Sequence, residues 1–528
     1  MKIDSARMSL RTTLLVLAFA CLSHNLAAQT ASIDPGKMPA IGVVDERFQS
    51  YNIEMVEVTG GRFWKPYSST KTTGRAEPVQ QPGATPSGVD PNLFQYRAPI
   101  DLANSRLRKL TAALGPAYLR VSGTWANSVY FHDSDDAVPA TPPAGFGGVL
   151  TRKEWKGVID FAHAVNAEIV TSVAISAGTR DANGVWSAEQ IRQLLSYTHS
   201  AGGHITATEF MNEPNRAANG DAPKGYDAAA YGRDMTVFRP FLKRNFPDTV
   251  LLGPGSVAVG AAASEAAAGG LKTEDLLKAT GAVFDVFSYH LYSGVSQRCA
   301  RTAAMRTTAE DALSPEWLSR PEKIDAFYAG LRDRFEPGKP LWITETADAA
   351  CGGNPWASTF ADTFRYLVQH GRLAQRGVKV IMHNTLAASD YGLLEENTFA
   401  PRPNYWAALL WRKLMGTTVL DPHLTLPENV YAYAHCQHDH GGGVALLIVN
   451  ADQQHAYDIT LPYDSQRYTF TAATIEDVSI QLNGSPLKLE SNGDLPPLPN
   501  QRTRGRVSFA PRSITFLSIA SANNSACR

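Results

Sequence analysis

Residues 204–214 read HITATEFMNEP, a short run rich in β-branched and aromatic residues that is closed by a proline able to end a ladder or a helix. Before it lies SAEQIRQLLSYTHSAG (187–202) and after it YDAAAYGRDMTVFRPFLKRN (226–245), both with the apolar spacing of an amphipathic helix. A strand between two such helices is the unit of an α/β fold. Working outward, the same alternation predicts strands at FQSYNIEM (48–55), AYLRVSGT (117–124), EIVTSVAIS (168–176), TVLLGPG (249–255), VFDVFSYHLY (283–292), PLWITETA (340–347) and VKVIMHNTLAAS (378–389). Further helices are predicted over 100–114, 152–166, 323–335, 359–377 and 403–416, the last with Gly416 as its stop signal. Eight strands in this alternation predict a (β/α)8 barrel over 45–416, in preference to an open doubly wound sheet. No GxGxxG follows the first strand, which removes the usual sign of a dinucleotide fold.

At about position 417 the pattern changes to short alternating strands separated by Gly, Asn, Asp and Pro, from VYAYAHC to RVSFAPRSITFLSIA. This predicts a β-sandwich domain over 417–522, with residues 38–45 available to add a strand to it. No long flexible linker separates the two, so they are expected to pack rigidly.

The whole chain has 528 residues, 44% hydrophobic and 19% charged, which excludes a disordered or collagen-like protein. Its net charge of −1 gives no electrostatic footprint for nucleic acid or an anionic membrane. Residues 1–28 combine a basic start (Lys2, Arg7, Arg11), an apolar run from Leu14 to Leu22, and small residues at Ala27 and Ala28. They read as a cleavable signal peptide, so the protein is expected to be secreted or periplasmic, with no membrane span. The other four cysteines, Cys299, Cys351, Cys436 and Cys527, then fall in an oxidising compartment and read as disulfides or buried thiols. HCQHDHGGG (435–443) carries three histidines and a cysteine without a recognised ligand spacing. It reads as a solvated face before a glycine turn, and no metal or cofactor is expected.

In a barrel, functional side chains gather where strands end. The polar residues there are Glu54, Thr124, Asn212, Glu213, His290, Tyr292, Glu345, His383 and Asn384. Taken alone, Glu213 before Pro214 reads first as a turn or helix-entry carboxylate. Glu345 on the apolar strand WITET is costly without a purpose. Two carboxylates across one barrel mouth suit glycoside hydrolysis, in which one protonates the leaving oxygen and the other meets an oxocarbenium-like carbon. His290 and Tyr292 share one side of their strand by period two, which places both beside Glu345.

These residues also carry a family resemblance. EFMNEPN followed by WITET resembles the retaining (β/α)8 glycosidases. PAYLRVSGT, YHLY, ETADAACGG, DYGLLEEN and PNYWAALLWRKLMGTTVL narrow the resemblance to glycoside hydrolase family 79, the β-glucuronidases and heparanases, over nearly the whole mature chain. The resemblance implies Glu213 as acid/base, Glu345 as nucleophile and Asn212 as the ligand of the sugar 2-hydroxyl. It implies a further sugar contact from Glu54, with Thr124 ending the matching LRVSGT segment, and places Tyr292, Tyr391 and the backbone amides of Gly352 and Gly353 around a uronate carboxylate; His290, which alone reads as a satisfied core histidine, and Asn384 are expected to join the substrate site from their strand ends. One departure stands out: Ala350 and Cys351 precede the two glycines where family members often carry a tyrosine. Cys351 is then available to pair with Cys299 as a brace between adjacent loops.

The resulting expectation is an exo-acting retaining β-glucuronidase on a glucuronide or other uronic-acid-containing carbohydrate. An endo-acting heparanase-like hydrolase and a carbohydrate-binding pseudoenzyme are the alternatives. Oligomeric state has no signature in the sequence.

Overall fold

The computed structural model describes residues 31–67, 85, 86, 88–260 and 270–528; the signal peptide read at 1–28 lies outside them. Eight strands, β1 (Gln49–Glu54), β2 (Ala117–Ser122), β3 (Ala167–Ser172), β4 (Ile205–Glu209), β5 (Val250–Val259), β6 (Val286–Tyr292), β7 (Leu341–Ala347) and β8 (Val380–His383), pair in parallel and close into a barrel. Each is followed by a helix: α1 (Ser105–Ala112), α2 (Arg152–Ala164), α3 (Glu189–Ser200), α4 (Ala228–Asn245), α5 (Thr273–Thr280), α6 (Pro315–Phe335), α7 (Phe360–Gln375) and α8 (Pro403–Leu414). The sequence reading missed α5, whose only large buried side chains are Leu276 and Leu277, too few to show a helical period.

The barrel interior is layered. Val170, Ala207, Leu252, Val286, Trp342, Val380 and Met382 form an apolar plug at the strand starts. Toward the strand ends the same inward positions become polar, with Arg120, Glu209, Ser288 and Thr344 bonded to one another. Strict alternation after Trp342 and Thr344 would turn Glu345 outward. The register of β7 slips against both neighbours at this point, and the slip brings Glu345 inward while Thr346 turns out to accept a hydrogen bond from Gln369 of α7.

The second domain is an antiparallel sheet. Strands β9 (Met415–Leu420), β10 (Val430–Gln437), β11 (Val444–Asn450), β12 (Tyr457–Thr471), β13 (Gln501–Phe509) and β14 (Ser513–Ile519) pair in the order β9-β10-β11-β14-β12, with β13 also on β12. Ala40–Val43 pairs antiparallel with β9. Strand β9 starts directly after α8, so Gly416 is a strand residue and not the helix stop; a Cβ there would lie 2.7 Å from the Cys436 carbonyl. The central strand VALLIVN is buried throughout instead of alternating. One face, with Val444, Leu446 and Ile448, packs inside the sheet domain, and the other, with Ala445, Leu447 and Val449, joins the core shared with the barrel helices.

The histidine-rich segment is dispersed by this packing. Cys436 is disulfide-bonded to Cys527. His435 is buried with Nδ1 on the Gly416 carbonyl at 2.6 Å, which corrects the reading of a solvated face. No helix among the described residues is long and apolar enough to cross a membrane.

Candidate active site

A cavity of about 770 Å3 opens at the strand ends and is lined by Glu54, Thr124, Glu213, Tyr292, Glu345, Asn384 and Tyr391, among others. Glu213 follows β4 in a segment fixed on both sides. The Asn212 backbone donates to Asn127 Oδ1 (2.8 Å) and accepts from Asn127 Nδ2 (3.0 Å). Asn215 makes the equivalent pair with the backbone of Val257, at 2.8 and 2.9 Å. Between these clamps Glu213 adopts a left-handed conformation, φ 50° and ψ 62°, that aims its side chain across the barrel mouth.

Glu345 receives the Tyr292 hydroxyl on Oε1 (2.6 Å) and Arg120 Nη1 on Oε2 (2.9 Å). Arg120 is fully buried and also donates to Glu209 Oε2 (2.8 Å) and Asn212 Oδ1 (2.8 Å). Its Nη2 lies 3.2 Å from His290 Nε2; a guanidinium can only donate, so that nitrogen accepts and the ring proton sits on Nδ1. Nδ1 in turn faces Glu213 Oε1 at 3.1 Å. Arg120 thus links both carboxylates, one directly and the other through His290.

Sequence reasoning missed Arg120 and Glu209. Burial alone would raise the Glu209 carboxyl, but the Arg120 charge and hydrogen bonds from Thr344 and Ser288 outweigh it and hold the group below the usual carboxylate range. The signal lay in AYLRVSGT, where an arginine between Leu119 and Val121 sits on a strand that a barrel buries.

Glu54 is in the opposite state. Burial, and then the charge of Glu345, push its carboxyl well above the ordinary range, so it is held neutral. Asn384 Nδ2 donates to its Oε1 at 3.1 Å, and Oε2 is buried without a partner. A Cβ on Gly123, at φ 90°, would lie 1.5 Å from that oxygen, so only glycine leaves it room. The phenols of Tyr292 and Tyr391 are pushed up, first by burial and then by the neighbouring carboxylates.

Four of the expected residues are not among those lining the cavity. Asn212 and His290 lie beneath the carboxylates, bonded to Arg120. Gly352 and Gly353 are not among the lining residues, and a Cβ on either would meet Trp64 or Ala357, while Ala350 and Cys351 line the cavity. Cys351 is joined to Cys299 by the expected disulfide, which braces the loops after β6 and β7.

Oxygens of Glu213 and Glu345 and a nitrogen of His290 all lie within 4.8 Å of one another. This donor set resembles a metal site in spacing, but the Arg120 guanidinium bonded to it opposes a cation. Residues 97–371 match the family model "Glycosyl hydrolase family 79, N-terminal domain". The chain belongs to glycosyl hydrolase family 79. Within the family it is 26% identical to Heparanase-like protein 1 of Arabidopsis thaliana over 81% of this chain and 86% of that protein. It is 30% identical to baicalin-beta-D-glucuronidase of Scutellaria baicalensis over 47% of this chain and 50% of that one. The fold of this family 79 chain is also that of a GH51 arabinofuranosidase from Xanthomonas axonopodis pv. citri, with a TM-score of 0.61, 15% identity and coverage of 91% and 97% of the two chains.

Proposed function

We propose that the protein is an exported, retaining β-glucuronidase that removes terminal β-linked glucuronic acid. The observation that carries the reading is the approach of Glu213 and Glu345 oxygens to within 4.8 Å. Retaining enzymes keep their carboxyls about 5–5.5 Å apart, and inverting ones leave about 6.5–9.5 Å for a water. Glu345, held in place by the Tyr292 hydroxyl and Arg120, attacks the anomeric carbon and forms a glycosyl ester. Glu213, more open at 18% side-chain exposure, gives its proton to the leaving oxygen. It then takes a proton from the water that cleaves the ester, which returns both groups to their starting states. Neutral Glu54, with Oε2 unpartnered, donates to a sugar hydroxyl, and Tyr391 and Asn384 complete that wall.

The test is a panel of aryl β-glycosides with NMR of the first-formed product. β-Glucuronide turnover with the β-anomer released first is expected, and inversion or exclusive turnover of another sugar defeats the reading. Glu345→Gln is expected to lose at least 1,000-fold in kcat on every substrate. Glu213→Gln is expected to lose about 100- to 10,000-fold on poor leaving groups and little of the first step on activated ones, with azide restoring turnover as a glycosyl azide. Endo action of the heparanase type is favoured by one feature: Arg216, three residues beyond Glu213, lines the cavity without a charged partner among the described residues. Sizing the products from heparan sulfate separates oligosaccharides from free glucuronic acid.

A further inference from the structure

Resting on the glucuronidase reading, we infer that Arg301 is the residue that pairs with the substrate's carboxylate. A uronate in the cavity needs an anion partner, and the neutral donors implied by the sequence carry no charge to match it. Gly352 and Gly353 are not among the residues that line the cavity. The Tyr292 proton is committed to Glu345. Where the family often carries a tyrosine, this chain has Ala350.

Three arginines line the cavity. Arg320 is engaged by Glu316 (2.9 Å) and the Ser293 carbonyl (2.8 Å), and stacks on Trp317. Arg216 belongs to the Glu213 segment, three residues beyond the proposed proton donor. Arg301 has no ion pair or side-chain hydrogen bond among the described residues.

The approach to Arg301 is rigid. Ser296 donates its backbone N–H to the Ala350 carbonyl at 2.9 Å. Arg298 is spent on Asp390 (2.6 Å) and the Tyr67 ring (3.9 Å). Cys299 is covalently tied to Cys351, immediately beside Ala350. Two residues beyond that anchor, Arg301 faces the cavity from the wall that lost the phenol. A guanidinium binds a carboxylate through two parallel hydrogen bonds, with the charge complementarity that a neutral phenol lacks.

The experiment measures glucuronate and glucose binding by calorimetry, together with kcat/KM on 4-nitrophenyl β-D-glucuronide, for wild type, Arg301→Ala and Arg301→Lys. Arg301→Ala is expected to weaken glucuronate binding and kcat/KM about 10- to 100-fold while leaving glucose binding unchanged, and Arg301→Lys to restore part of the loss. Wild-type behaviour of Arg301→Ala, or the same loss in Arg216→Ala in its place, overturns the assignment and leaves the hydrolase reading standing. A folded wild type that neither binds glucuronate nor cleaves the glucuronide defeats the glucuronidase reading on which the inference rests.

Discussion

Glu54 and Glu209 are both buried in the barrel mouth and differ in what surrounds them. Glu209 is ionised against Arg120, so Glu209→Gln leaves a buried cation short of its main partner and is expected to cost about 3–5 kcal/mol. Glu54 is already neutral, so Glu54→Gln removes no charge and is expected to cost less than about 1 kcal/mol near pH 5. The pH dependence follows the same logic. A carboxyl raised in the folded state binds more protons folded than unfolded once pH exceeds its ordinary value, so wild-type stability falls with rising pH in that window. The glutamine variant does not titrate, and its stability relative to wild type should grow from pH 5 to 9 in urea denaturation. A constant difference would mean that Glu54 is ionised in the fold.

At the scale of elements, the decisive one is the segment after β4. Its two asparagine clamps tie the loop after β2, through Asn127, and β5, through Val257, to the two sides of Glu213. Asn127 also accepts the backbone N–H groups of Ile175 (2.8 Å) and Ser176 (3.1 Å) beyond β3, so one side chain and its peptide register three consecutive strand ends. Asn127→Ala is expected to lower kcat/KM about 10- to 100-fold on aryl glucuronides with poor leaving groups and to spare activated ones, because it misplaces the proton donor. An equal loss on both classes would mean that it disturbs the whole site. This arrangement was only half legible in the sequence. The strands ending in Glu213 and Glu345 could be read because periodicity places them, and the motif EFMNEPN is local. Through their side chains Asn127, Arg120 and Glu209 act on neighbours 79 to 225 residues away, and nothing local marks such contacts. The inward turn of Glu345 depends on a register slip that period-two counting cannot foresee.

Over the whole molecule, the sheet domain is part of the barrel's support. Gly371 of α7 lets the Tyr433 ring approach so closely that a Cβ would lie 2.2 Å from it. Arg372 caps Tyr431 at 5.2 Å, and Trp411 of α8 meets the His435 ring edge-on at 5.3 Å. The polar neighbours of His435 predict a solvated ring, yet β10 runs between this interface and the sheet's own core. Burial pushes its imidazole down to about 4, more strongly than the bond to the Gly416 carbonyl raises it. Unfolded, the ring takes up its proton near pH 6.5, so between pH 6.5 and 4 the unfolded state binds more protons and stability falls as pH falls. His435 alone should account for up to about 3 kcal/mol of that decline by pH 4. His370, pushed down to about 3, and His383, to about 4, act with the same sign. Glu57 and Asp348, both raised to about 8, act oppositely, each losing stability as pH rises from the ordinary carboxylate range toward 8. Comparing His435→Gln with wild type cancels these common contributions, whatever the substitution costs at neutral pH. The variant's denaturation free energy should decline less steeply between pH 6.5 and 4, with barrel and sheet still unfolding together. Parallel declines would place His435 in water when folded and remove it from the interface.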